Sequence, residues 1–301
     1  MRISMRIRVS ALGVLLLTLQ WLAPSVTLSA KKHPPVTPEI SLGPPEKSAH
    51  GFVLVVHGLN LKPSRMVPLA REICNDRTNL HCRILSLPGH EDPAAAPVEV
   101  QETANLWKTA LAREVTKMRQ LAPERPLHFL GYSLGALLGV WASSQTGPGP
   151  SVFQKMALLA PPIETHFFTR IASWIPGPGH WTIPSLNHRD YRARNGTSLA
   201  AYRALRAIQV EVQRLDPLAR YRGKLFIAVN PADELVDAGK LMRRAEHSNW
   251  PVHPPETLRC VLPLQPSISP AYEHLWIDEP SMGKTAWDDL RSRLQVFFSE
   301  D

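Results

Sequence analysis

Leu127 to Leu138 reads LHFLGYSLGALL, and this stretch decides the fold. Leu127–Tyr132 is apolar enough for a strand buried on both faces, and it runs without a spacer into Ser133. Leu134–Ser144 then carries a helical pattern. The embedded Gly131-Tyr132-Ser133-Leu134-Gly135 fits G-x-S-x-G, a short pattern that means little without its context. Here the strand before and the helix after place Ser133 on a sharp turn, with its hydroxyl projecting beyond the sheet edge. A Cβ at either glycine would collide as the helix passes close to the strands.

Outward from this point the chain alternates. Phe52–His57 and Cys82–Leu87 read as strands before it, with a helix bearing Met66, Leu69, Ala70 and Ile73 between them and Ser64 as its cap. A long helix carries Val100, Ala104, Trp107, Leu111, Val115 and Met118 on one face. After Ser133 come strands at Lys155–Ala160, Leu225–Asn230 and Thr257–Leu262. A last helix presents Trp287, Leu290, Leu294 and Phe297, with Thr285 and Asp288 as its capping box. This order predicts an α/β fold, a mainly parallel sheet of about six strands with helices on both faces. The interval from about 161 to 222 is too long for a simple connection and reads as an inserted helical cap.

A serine hydroxyl needs a base to take its proton and an acid to orient that base. His274 follows the sixth strand and precedes the last helix, at the sheet edge where Ser133 emerges; His253 and His247 are the substitutes. Asp233 lies three residues beyond strand five. Asp237, which also suits a helix N-cap, and Glu164, just beyond strand four, compete with it. For an oxyanion, the backbone N–H groups of Leu134, next to the nucleophile, and Leu59, in the turn His57-Gly58-Leu59-Asn60, are the expected donors. The chain order Ser, Asp, His is that of the nucleophile-elbow enzymes.

VVHGL (55–59), LPGH (87–90), GYSLG (131–135), the Asp of PADELV (231–236) and the His of EHL (273–275) together resemble the α/β-hydrolase fold superfamily. Within it they are similar to the branch of monoacylglycerol lipases, carboxylesterases and serine aminopeptidase-like hydrolases, over about residues 51–301. The resemblance implies Ser133, Asp233 and His274 as nucleophile, acid and base, Leu59 and Leu134 as oxyanion donors, and no cofactor. It implies ester hydrolysis through an acyl-enzyme, with thioesters or amides as alternative substrates and a non-catalytic binding protein as the other class. Glu91 stands where LPGHG has its last glycine, and His90 reads as structural or cleft-lining. With only a linker before Phe52, the sheet is expected to be shorter than the family's usual eight strands.

Arg2, Arg6 and Arg8 precede a short apolar run and then small residues, so residues 1–30 read as a signal peptide and the protein as exported, periplasmic or secreted. The alternative is an uncleaved membrane anchor, for which the run is short. Residues 31–50 read as a Pro-rich linker. Export leaves two readings of the cysteines: Cys74 paired with Cys82 and Cys260 left over, or three buried thiols. No Cys/His spacing resembles a zinc site, and there is no HExxH, so no metal is expected.

The 301 residues are 44% hydrophobic and 20% charged, which excludes a mainly disordered chain, and 29 prolines without a Gly-X-Y period exclude collagen. The net charge is +8, and +8 less the three signal arginines leaves +5. Much of the rest gathers in the cap between Arg189 and Lys224. That cluster reads as a solvated face, or as a basic surface that holds the enzyme near anionic lipid or an acidic substrate. No nucleic-acid module accompanies the charge, so nucleic acid is not an expected partner. Phe167, Phe168 and Trp174, in the first half of the cap, are expected to touch the apolar part of a small ester or lipid substrate.

Overall fold

The computed structural model describes residues 40–90, 100–145, 151–185, 187–251, 259–260, 264–268 and 272–299. The expected signal segment, His253 and most of the expected sixth strand lie outside them. The sheet contains β1 (Ile40–Leu42), β2 (Gly51–Val56), β3 (Leu80–Leu85), β4 (Leu127–Tyr132), β5 (Lys155–Leu159), β8 (Lys224–Val229) and β9 (Arg259–Cys260). Its strand order is β1-β3-β2-β4-β5-β8-β9. The last six of these strands are mutually parallel, and every residue of β2, β4 and β5 is buried. That is why the three read as continuous apolar runs rather than alternating ones.

Helices α1 (Val67–Ile73), α2 (Val100–Leu121), α3 (Leu134–Ser143), α4 (Phe167–Trp174), α5 (Leu199–Leu215), α6 (Ala238–His247), α7 (Glu279–Met282) and α8 (Lys284–Ser299) cover the sheet. They form separate groups: α1 packs on α8, while α2, α3 and α5 pack on one another. Trp107, Phe129, Phe153 and Phe226 are nearly or wholly buried between the layers, each contributing about 1.5–3 kcal/mol of transfer free energy.

The register places the site. Val56 at the end of β2 lies opposite Gly131, Gly131 opposite Leu158, and Leu158 opposite Ile227. The chain therefore leaves β2, β4, β5 and β8 at one common edge, the carboxyl edge. The strand order also reverses between β3 and β4 around β2, and a crevice opens at such a reversal.

Three features differ from the sequence expectations. The stretch read as linker to residue 50 is folded from Ile40 onward: β1 pairs antiparallel with β3, and Glu46 pairs with Arg83 at 2.6 Å. Three residues of edge strand have no period to detect, and the charge pair is non-local. Ser64 does not cap α1; a 3-10 turn, Pro63–Met66, leads into it with no side-chain cap bond. The capping box falls one helix earlier than expected, on Asp278 and Ser281, while Asp288 pairs with Lys284 at 2.9 Å.

Cys74 and Cys82 form a disulfide that ties the end of α1 to β3. The chain between β5 and β8 holds α4, the antiparallel pair β6 (Thr182–Pro184) and β7 (Gly196–Ser198), and α5, so the expected helical cap includes a small ribbon. Ser198 caps α5 by accepting from the Ala201 N–H. Ala204, Ile208 and Val212 of α5 join the core, and Glu211 takes Lys108 at 2.5 Å and the Trp141 indole N–H at 3.0 Å.

Candidate active site

The end of β4 has one feature a plain strand–helix turn lacks: Ser133 sits at φ 50°, ψ −116°, a conformation non-glycine residues avoid. Backbone bonds hold it there, since its N–H donates to Leu159 O (2.8 Å) and its carbonyl accepts from Leu137 N–H (3.0 Å). The flanking glycines explain how α3 comes so close. A Cβ on Gly135 would lie 2.1 Å from Val56 O, and one on Gly131 2.6 Å from the Ala136 Cα. The hydroxyl thus stands at the strand reversal, on a residue that is 8% exposed.

Asp233 and His274 converge on it from β8 and from the loop before α7. His274 Nε2 lies 2.9 Å from Ser133 Oγ, and its Nδ1 lies 2.7 Å from Asp233 Oδ2. With the proton on Nδ1, held by the carboxylate, Nε2 is left to accept from the serine hydroxyl. The other oxygen of Asp233 accepts from the Leu235 and Val236 N–H groups, both at 2.8 Å, which fixes the carboxylate plane. Burial pushes the imidazole of His274 down, but the charge and hydrogen bond of Asp233 outweigh it, and the net shift is upward from 6.5. The competing residues are engaged elsewhere. Asp237 caps α6 and pairs with Lys240 at 2.9 Å, Glu164 pairs with Arg244 at 3.0 Å, and His247 lies at the exposed end of α6.

The turn after β2 closes the site. Gly58 passes so near that a Cβ there would be 3.2 Å from the Ser133 Cβ, and Leu59, the next residue, is partly buried. Leu134 begins α3, directly after Ser133. His57 braces the turn: Nδ1 donates to Gly58 O (2.8 Å), and Nε2 accepts from the Leu87 N–H (3.0 Å). Burial lowers it to about 4, so it stays neutral and keeps that tautomer. His90 packs against it at 4.7 Å and against Trp107 at 5.9 Å, tilted in both contacts, and is buried.

Other supporting residues were not singled out from the sequence. Tyr132 donates its hydroxyl to His274 O, and Asn230 donates to Glu273 O (2.8 Å) and Glu273 Oε2 (3.0 Å), holding the His274 loop to β8. Asn60, at φ 53°, pairs with both the N–H and the carbonyl of Arg194 and so clips the cap to the Gly58 turn. An Asn directly after a Gly-containing turn was the available signal.

The profile of the Alpha/beta hydrolase family matches residues 53–295. The chain belongs to that family. Among solved structures, this α/β hydrolase is similar to a soluble variant of monoglyceride lipase from Saccharomyces cerevisiae in complex with a substrate analog (13% identity, TM-score 0.57, covering 87% of this chain and 92% of that one). It is also similar to a metagenome-derived lipolytic enzyme from the pair LipS and LipT (19%, TM-score 0.53, 70% and 83%). A third is MenH from S. aureus (12%, TM-score 0.52, 87% and 99%). At these identities the likeness is one of fold. No curated protein matches the sequence of this α/β hydrolase.

Of the three expected substrate contacts of the α/β hydrolase, the structure describes the side chains of two. Phe167 and Trp174 are each 58% exposed and lie edge to face on one another at 5.8 Å on α4. The side chain of Phe168 lies outside the described residues. A short helix with two exposed aromatics carries the same sequence pattern as one that buries them, because periodicity fixes a face but not what it meets.

Proposed function

We propose that the protein is a serine hydrolase of carboxylic esters. The observation that carries this reading is the unbroken chain Ser133–His274–Asp233, at 2.9 and 2.7 Å, on a strained serine at the carboxyl edge of the sheet. His274 takes the Ser133 proton as Oγ attacks the ester carbonyl, and Asp233 stabilises the imidazolium that forms. The Leu59 and Leu134 N–H groups receive the oxyanion, and an apolar acyl or aryl part lies under the cap. His274 then protonates the leaving alcohol, and water activated by the same imidazole frees the acid.

The substrate is a small ester or lipid, and neither cofactor nor nucleic acid takes part. The protein acts after export, in the periplasm or outside the cell, with residues 1–30 removed. The basic cap rests against anionic lipid as a peripheral contact, and charge reversal of exposed cap residues such as Arg189 tests this on anionic vesicles. The catalytic reading itself is tested by Ser133→Ala. Hydrolysis of short p-nitrophenyl esters falls to background if it is right, and full activity in the variant rejects it.

A further inference from the structure

A small cavity lies in the cap, between α4 and α5. It has a volume of about 20 Å³, more than the 10–15 Å³ one water needs. Arg170 enters it from α4 and Arg206 from α5. Their surroundings leave them short of negative charge. Glu164 is committed to Arg244 at 3.0 Å and reaches Arg170 only at 3.9 Å. Arg206 donates to the neutral amide oxygen of Gln209 (2.6 Å), and among the described residues no carboxylate pairs with it. The Gln209 amide nitrogen donates to Pro162 O, Ile163 O and Thr165 Oγ1, which leaves its oxygen turned to Arg206. Burial and the facing charge of Arg170 push Arg206 below the usual guanidinium range, with Glu164 opposing in part. Two guanidinium groups turned toward one small cavity repel each other unless an anion lies between them.

The wall of the cavity is bonded to the turn that carries Asp233. Thr165 in its wall bridges to Val236, and the next residue, His166, bonds to Leu235 O and Asp233 O. Tyr202 also lines it, and the ring of Tyr272, two residues before His274, lies 6.1 Å from the His274 ring. We propose that this cavity is a subsite for a carboxylate carried by the substrate, held between Arg170 and Arg206. The inference rests on the serine-hydrolase reading and narrows it: the substrate is a monoanionic ester, such as a half-ester of a dicarboxylic acid. The small volume suits a carboxylate head, and the rest of the ester runs toward Ser133.

The test compares mono-p-nitrophenyl esters of succinate, glutarate and adipate with their methyl-capped neutral counterparts on the full chain. For the chain length that spans the two sites, kcat/KM for the anionic ester exceeds that for its neutral counterpart by about ten-fold or more. Arg206→Met lowers that ratio about ten- to a hundred-fold, the range of a lost charge-assisted hydrogen bond. Arg170→Gln, on a different helix, lowers it in the same direction and serves if the first variant folds poorly. Monomethyl glutarate binding to Ser133→Ala, followed by calorimetry, is lost in the Arg206→Met background. An anionic-to-neutral ratio near one at every length overturns the proposal, as does a variant that lowers both rates equally. Free glutarate that binds through Arg206 without any preference for anionic esters also overturns it, because the site would then serve a free acid. Neutral-ester hydrolysis that persists in Ser133→Ala would instead remove the serine-hydrolase reading, while the calorimetry still reports on the cavity.

Discussion

Asp233→Asn separates charge from shape within the site. The amide oxygen of the variant still accepts from the Leu235 and Val236 N–H groups, so the turn after β8 keeps its two 2.8 Å bonds. Its NH2 group then points at His274 Nδ1, where the carboxylate oxygen stood at 2.7 Å. Two donors cannot share that contact, so the imidazole moves its proton to Nε2, the nitrogen 2.9 Å from Ser133 Oγ. A base already protonated cannot accept. The same substitution in the serine protease triad costs about 10⁴ in kcat, or about 5 kcal/mol of transition-state stabilisation, and the geometry here assigns a loss of that order.

The pH profile gives an independent signature. Hydrolysis needs neutral His274, so the wild-type rate falls as pH drops through the raised imidazole pKa, above 6.5. In Asp233→Asn burial is left to act without its counter-charge, and the acid limb moves below that value. Initial rates on p-nitrophenyl butyrate from pH 5 to 9, with a thermal melt as a folding control, read both effects. A folded variant within ten-fold of wild type, with its acid limb unmoved, would refute the reasoning.

Two further expectations concern stability. His128, on β4, is held down to about 3 by burial and by the charges of Lys155, His50 and Arg119, and its Nδ1 has no partner among the described residues. The unfolded chain binds that proton from about pH 6.5 downward and the native state does not, so stability is lost as pH falls from 6.5 toward 3. His128→Leu should shrink the stability difference between pH 7 and pH 4 by roughly 3 kcal/mol, from 1.36 kcal/mol per pH unit, as read from urea melts at both pH values. An unchanged difference would contradict the assignment. Reducing the Cys74–Cys82 bridge, which closes a loop of sequence separation 8, should cost about 2.5 kcal/mol on the chain-entropy account and lower Tm by several degrees in a melt with and without reductant. Equal Tm values would mean that the loop stays closed without the bond.

The central sheet and the site were legible in the sequence because their signals are local. β2, β4 and β5 are continuous apolar runs, and Gly131 to Gly135 compresses the nucleophile turn into five residues. Asp233 and His274 could be chosen because each follows a strand that had to end at the same edge, and the structure brings both to Ser133. What stayed hidden depends on distant partners. β1 exists only against β3, Glu46 only against Arg83, and the clip from Asn60 to Arg194 spans the body and the cap. The cap aromatics show what periodicity leaves open: Phe167 and Trp174 share a helix face, and both are exposed in the structure. Of the two arginines of the cap cavity only Arg206 falls in the basic cluster from Arg189 to Lys224, and two residues on separate helices share no sequence spacing.

The central claim is that Ser133 Oγ is the nucleophile, and covalent labelling tests it most directly. The full chain is incubated with a fluorophosphonate at pH 8, and the adduct is located by peptide mass spectrometry. The account predicts one adduct per chain, on Ser133, absent in Ser133→Ala and formed far more slowly in Asp233→Asn. Stoichiometric labelling at another residue, or an unlabelled Ser133 in protein that hydrolyses esters, would contradict it.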